Sequence, residues 1–228
     1  MKVAIVGSNG FVGKSLCRNF QKLNYEVFEV TRENYNEYKL IDYDFLINTL
    51  MPSKRFWALN YPVDDVIETI VKTSELFYKW KYKKFIHIST LSAKNDTNTP
   101  YGSHKRASEV LVQSKKNTLI VRLGALYGKG LDKGALFDLI NHNKIYVDIH
   151  SEYNYIDIDV ATEWIVNNMN EVGTKEIGAY DTISLLDISK ITWNNPIYTG
   201  RREVVYSEDI EKGMPSSREV LKYVRRLL

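Results

Sequence analysis

Apolar positions along the chain follow the strand period and the helix period in alternation. The opening run KVAIVG is short and apolar and ends in glycine, which predicts a strand buried on both faces. In SNGFVGKSLCRNFQKL, Val12, Leu16, Phe20 and Leu23 recur at helical spacing. EVFEV reads as a second strand. The polar, tyrosine-rich stretch TRENYNEYKLIDY then leads to a third, DFLINTL. In PVDDVIETIVKTSELFYKW, Val63, Val66, Ile67, Ile70, Val71, Phe77 and Trp80 recur at intervals of three and four. A leading proline and two aspartates in the first turn mark the start of this helix. KKFIHIST is a fourth strand, TPYGSHKRASEVL opens a further helix, and TLIVRLG is a fifth strand. This alternation predicts an α/β fold, a doubly wound parallel sheet with helices on both faces. After Gly124 the pattern loosens. GALFDLINHN and DVATEWIVNNM read as helices, KEIGAYDTI as a further strand, and the last dozen residues as a helix after MPSS.

Composition narrows the class. The 228 residues are 44% hydrophobic and 26% charged, the make-up of a globular protein with a substantial core. A net charge of +3 gives no support to nucleic-acid binding, and the basic end SSREVLKYVRRLL reads as a solvated amphipathic helix. No stretch reaches the roughly 18 apolar residues of a membrane span, and MKVAIVG runs directly into strand pattern without a charged leader. The single cysteine, Cys17, falls on the apolar side of the first helix as packing, and its isolation fits a reducing cytoplasm. The four histidines and the acids lack HExxH or CxxC spacing, so no metal site is expected.

GSNGFVG lies between the first strand and the first helix, and phosphate binding accounts for each of its glycines. Gly7 turns the chain sharply, Gly10 lets backbone approach a pyrophosphate, and Gly13 lets helix pack on sheet. Asn9, Phe11 and Val12 belong to the same turn, whose helix N-terminus offers N–H groups to an anion. The end of the second strand discriminates between dinucleotides. An acid there would bind the ribose hydroxyls of NAD, whereas Arg32 suits the 2′-phosphate of NADP. Glu29 and Glu33 stand on either side of Arg32, so NAD remains the alternative.

Tyr101 and Lys105 lie four apart at the head of a helix and share one face. Alone, that spacing describes two surface side chains equally well. The stretches VAIVGSNGFVG, KKFIHISTLSA, TPYGSHKRASEVLV, VRLGALYGKG and YNYIDIDVA, in this order, change the reading. The chain resembles the extended short-chain dehydrogenase/reductases, the NAD-dependent epimerase/dehydratase family. The resemblance spans most of residues 3 to 161, with weaker echoes in GAYDTISLLDISKIT and MPSSREVLK.

The resemblance implies a Rossmann-like dinucleotide-binding domain over 1–124 and a reduced substrate-binding region over 125–228, with returns to the first domain near 155–182. It makes Tyr101 the general acid/base of a hydride exchange with nicotinamide. A phenol with an ordinary pKa near 10 needs a neighbouring cation for that work, and Lys105 supplies it while hydrogen-bonding the cofactor ribose. Thr90, with Ser92 in reserve, would hydrogen-bond the reacting oxygen, and Asn48, Thr49, Leu50 and Ser89 would line the cofactor. His87 reads as buried strand and His104 as surface. The implied substrate is a small molecule with a carbonyl or hydroxyl, most naturally a nucleotide-activated sugar. Two copies would pair through helices near 62–80 and 101–115. The chain is shorter than an ordinary member, and eleven positions separate Thr90 from Tyr101, so the substrate stays open. A dinucleotide-binding scaffold or redox sensor without turnover is the competing reading.

Overall fold

Strand β1 (Lys2–Val6) buries all four of its apolar residues and pairs in parallel with both β2 (Glu26–Val30) and β3 (Asp42–Asn48). A strand covered on both faces and both edges must be apolar throughout, as Val3 to Val6 are. β3 pairs in parallel with β4 (Lys81–Thr90), which sets Asn48 beside His87. β5 (Thr118–Leu123) and β6 (Gly173–Ile177) complete a six-stranded sheet in the order β2-β1-β3-β4-β5-β6. The computed structural model describes residues 1–192 and 197–228. The chain divides into two units, 1–122 with 162–175 and 123–161 with 176–228. No helix among the described residues is long and apolar enough to cross a membrane.

In the first unit, α1 (Phe11–Lys22) connects β1 to β2. Between β3 and β4 run α2 (Arg55–Asn60) and a longer helix, α3. α3 consists of an α-helical stretch Pro62–Val66, a π-helical turn Ile67–Val71 and a second α-helical stretch Lys72–Lys79. The short α4 (Ser92–Asn95) and α5 (Pro100–Val112) connect β4 to β5. Right-handed crossovers running outward in both directions place α1 on one face of the sheet and α3 and α5 on the other. Strand order reverses between β1 and β3, so the carboxyl ends of these strands form the switch point where open α/β sheets bind ligands.

Under α3 the core is aromatic. Phe77 meets Phe85 edge-on at 5.2 Å, Tyr43 stacks on Trp80 at 6.0 Å, and the Trp80 indole N–H donates to Tyr35 Oη at 3.2 Å. From Pro62 to Thr73, α3 departs from its amphipathic reading. It buries Asp65, Thr69 and Thr73 and leaves Val63, Ile67 and Val71 exposed. The reason lies in what it faces, since Asn48 donates to Thr73 Oγ1 at 2.9 Å and the Lys105 amine to Thr69 Oγ1 at 3.5 Å.

α5 is likewise fixed to the sheet by polar groups. Ser89 of β4 donates to Glu109 Oε1 at 2.7 Å, and Arg122 of β5 donates to both Glu109 oxygens at 2.9 and 2.7 Å. Arg106 adds a contact at 3.0 Å. Burial raises the Glu109 pKa, but the bonds from Arg122 and Ser89 outweigh it and hold the carboxyl below its ordinary range.

In the second unit, strand Glu152–Tyr153 lies between Ile183–Ser184, antiparallel, and Val204–Val205, parallel. A second pair joins Leu126–Tyr127 to Ile156–Asp157. Helices among its described residues include Ala135–Ile140, Leu185–Thr192 and Glu219–Arg225, the last tied down by Tyr223 Oη donating to the Gly128 carbonyl at 3.0 Å.

Replacing Arg122 alone by Met strands a buried carboxylate, and the expected loss is about 3–5 kcal/mol in urea unfolding. Replacing Arg122 and Glu109 together by Met and Leu is expected to recover most of that loss.

Candidate active site

The turn after β1 has the geometry its glycines predict. Gly7 adopts φ +88°, and its carbonyl accepts the Gly10 N–H at 2.9 Å. A Cβ on Gly13 would lie 2.3 Å from that same carbonyl oxygen, so no larger residue fits there. No side chain caps α1, and its first turn carries no acid, which leaves the positive end of the helix dipole for an anion. Asn9 and Gly10 are exposed at the apex, and Phe11 and Val12 are half-buried. Thr49 closes the turn from the β3 side, its hydroxyl donating to the Val6 carbonyl at 2.8 Å. These features fit a dinucleotide pyrophosphate.

At the end of β2, Asn34 Oδ1 accepts the Thr31 N–H at 2.8 Å, and its amide donates to the Glu29 carbonyl at 3.0 Å. Arg32 is exposed on this turn. Both flanking acids are engaged. Glu29 accepts from Gln21 at 2.9 Å, and Glu33 accepts the Thr31 hydroxyl, a bond that lowers its pKa.

α5 begins at Pro100 behind Thr99, whose hydroxyl oxygen accepts the Gly102 N–H at 3.2 Å. Gly102 sits so close to α4 that a Cβ would lie 2.1 Å from the Asp96 carbonyl oxygen, which presses the first turn of α5 against α4. Tyr101 is 8% exposed, with the Lys105 amine 5.2 Å from its ring centre and the Arg55 guanidinium at 5.8 Å. Two cations therefore flank one phenol. Arg55 also donates to Ser92 Oγ at 2.8 Å and pairs with Asp96 at 3.6 Å. Thr90 Oγ1 in turn accepts the Ser92 N–H at 3.3 Å. Lys105 is 2% exposed, and its amine donates to the Pro52 carbonyl at 2.7 Å. Burial pulls this lysine down from its ordinary 10.5 to about 7, and the charge of Asp65 pushes it back up.

Arg55, a residue that sequence reasoning missed, thus joins Tyr101 to Ser92 and through it to Thr90, while Lys105 approaches the same ring. Its only signal was a cation in the polar loop after β3. Asn48 and Ser89 hold their side chains in the interior. The Asn48 amide donates to Thr73 and, at 3.3 Å, to His87 Nδ1, while its oxygen accepts the Leu50 N–H at 3.1 Å. His87 Nδ1 is therefore an acceptor, and the proton sits on Nε2, 3.1 Å from Ser108 Oγ. Desolvation lowers His87 to about 4, consistent with a neutral ring. His104, read as surface, is mostly buried instead, with Nδ1 2.7 Å from Asp65 Oδ2. The reason is that Asp65 is itself fully buried on the facing helix. No cluster of metal-ligating side chains occurs among the described residues.

No protein-family model and no curated protein sequence matches the chain. Its shape does have relatives. dTDP-4-dehydrorhamnose reductase from Bacillus anthracis, solved with NADP, superposes with a TM-score of 0.81 at 16% identity over 100% of this chain and 98% of that one. UDP-glucose 4-epimerase from Thermotoga maritima, solved with UDP-glucose, gives 0.76 at 16% identity over 99% of each chain. UDP-glucuronic acid 4-epimerase from Bacillus cereus, solved with NAD, gives 0.74 at 21% identity over 100% and 99%. The chain has the Rossmann-like α/β fold of the extended short-chain dehydrogenase/reductases.

His87 yields a test of the buried network. Its folded pKa, about 4, lies below its ordinary 6.5, so between these values the unfolded chain binds a proton that the folded chain refuses. Stability is expected to fall by about 3 kcal/mol as pH drops through that window, and His87→Gln is expected to remove this part of the slope in urea titrations.

Proposed function

We propose that the chain is an NAD(P)-dependent oxidoreductase or epimerase of the extended short-chain dehydrogenase/reductase type, acting on a nucleotide-activated sugar. The observation that carries this reading is Tyr101, nearly buried in the first turn of α5 with the Lys105 amine and the Arg55 guanidinium against its ring, in a unit whose glycine turn suits a pyrophosphate.

Reducing a ketone requires a hydride at carbon and a proton at oxygen. A bound nicotinamide dinucleotide supplies the hydride. Tyr101 delivers the proton from Oη, and the charges of Lys105 and Arg55 beside its ring stabilise the phenolate left behind. Thr90, or Ser92 next to it, donates a hydrogen bond to the reacting oxygen. Run backwards, the same groups take the hydroxyl proton, as an epimerase requires. Gly7, Asn9, Gly10, Phe11, Val12 and Gly13 would hold the pyrophosphate. Arg32 would meet a 2′-phosphate on a turn whose two neighbouring acids are already engaged, which favours NADP over NAD. Asn48 and Ser89, whose side chains point inward, contribute through main chain, as does Leu50. Thr49 keeps the turn closed. Two copies pair through α3 and α5, where Val63, Ile67, Val71 and Val110 are exposed. A lone, buried cysteine suits a reducing cytoplasm.

Titration with NADPH and NADH, read by energy transfer from tryptophan to reduced nicotinamide, is expected to favour NADPH at least tenfold, about 1.4 kcal/mol. Tyr101→Phe is expected to leave that binding unchanged and to lower turnover of 4-keto sugar nucleotides by about 10²–10⁴. Full turnover in that variant would overturn the assignment, and binding without turnover in the parent would favour the scaffold. The pair Ile67→Glu and Val71→Glu is expected to convert a sedimenting dimer to monomer.

A further inference from the structure

Lys105 is an almost fully buried amine whose hydrogen-bond acceptors, the Pro52 carbonyl and the Thr69 hydroxyl, are both neutral. Neutral dipoles alone rarely hold an ammonium in the interior. The carboxylate of Asp65 lies one helical turn before Thr69 and is fully buried. Its Oδ2 is bonded to His104, the residue preceding Lys105 in α5. Its Oδ1 has no hydrogen-bond partner among the described residues. A buried carboxylate oxygen without a donor is costly unless a positive charge stands nearby.

We propose that Asp65, oriented by His104, is the countercharge that keeps Lys105 an ammonium, which makes Asp65 a positioning residue for the Tyr101 proton. This rests on reading Tyr101 and Lys105 as the acid–base pair. Charged groups on the surrounding elements are committed elsewhere. Arg55 goes to Ser92 and Asp96, Glu68 to Lys72, and Glu109 to Arg122 and Arg106, while His87 is neutral and Asp64 is exposed. The role of His104 follows from its bond. Nδ1 must carry a proton to donate to the carboxylate, and that bond fixes the orientation of Asp65.

The test is a pH titration of the intact protein carrying 13C at the lysine Cε atoms, with the Lys105 signal identified by its loss in Lys105→Arg. The parent is expected to titrate near 7. Asp65→Asn is expected to lower the midpoint below the parent's, because desolvation then acts on the amine without the opposing charge of Asp65. His104→Ala is expected to move it the same way by less. His104→Asn, which keeps a donor in place of Nδ1, is expected to leave it near 7. An unchanged midpoint in folded Asp65→Asn overturns the proposal, and should that variant not fold, an unchanged midpoint in His104→Ala does so. The titration uses neither cofactor nor substrate, so a protein that fails to bind NADPH or NADH would sink the redox reading and leave this result standing. Where turnover is found, its alkaline limb is expected to move down with the midpoint, and a limb that stays in place overturns the positioning role.

Discussion

The register of α5 against β4 governs the geometry of the first unit, and hydrogen bonds set it. Apolar contacts tolerate a small slide of helix over sheet, because one methyl group replaces another at little cost. The bonds from Ser89 to Glu109 and from His87 to Ser108 do not, since each joins one atom to one atom inside a dry interface. Arg122 grips both oxygens of Glu109 from the next strand, so the helix is referenced to two strands at once. Tyr101 and Lys105 lie two turns and one turn up the same helix. Their position at the carboxyl end of the sheet is inherited from that anchorage.

The helix facing α5 answers to the same constraint. A buried ammonium needs oxygen around it, so the near face of α3 carries aspartate and threonines inward and its valines and isoleucine outward. Hydrophobic burial, which shapes the lower part of α3 around Phe77 and Trp80, gives way there to electrostatics. The result is a strip of buried polar groups running from Thr73 through Asn48 and His87 to Ser108 and the Lys105 carbonyl.

Much of this was legible in the residues. The sheet strands, the glycine turn and the Tyr101–Lys105 spacing depend on neighbours in sequence, and local pattern reports them. Even β6 was foreshadowed in KEIGAYDTI. The environment of the site was not legible, because its partners are distant. Asp65 meets His104 across 39 positions and Arg55 meets Ser92 across 37. From sequence, Asp65 served only as a helix-start signal and His104 as an ordinary surface residue. Val63, Ile67 and Val71 fit the helical period so well that nothing local marked them as the exposed side. Periodicity reports that a helix has two faces and is silent on which face meets a buried charge.

The π-helical turn at Ile67–Val71 has a consequence for how this site could arise and vary. Such a turn absorbs one more residue than an α-helical turn of similar rise, and π turns of this kind recur at functional sites. Here it lets a single helix keep two alignments: Asp65 and Thr69 toward α5 above it, and Leu76 and Phe77 toward the sheet below it. Loss of one residue within the turn would restore a continuous α-helix with its two halves in nearly their present alignment, because the wide turn already absorbs the extra residue. The stretch around Phe77 and the stretch that carries Asp65 would both keep the faces they now bury. A length change of one residue at this turn is thus one that the helix can take up locally while leaving the fold in place.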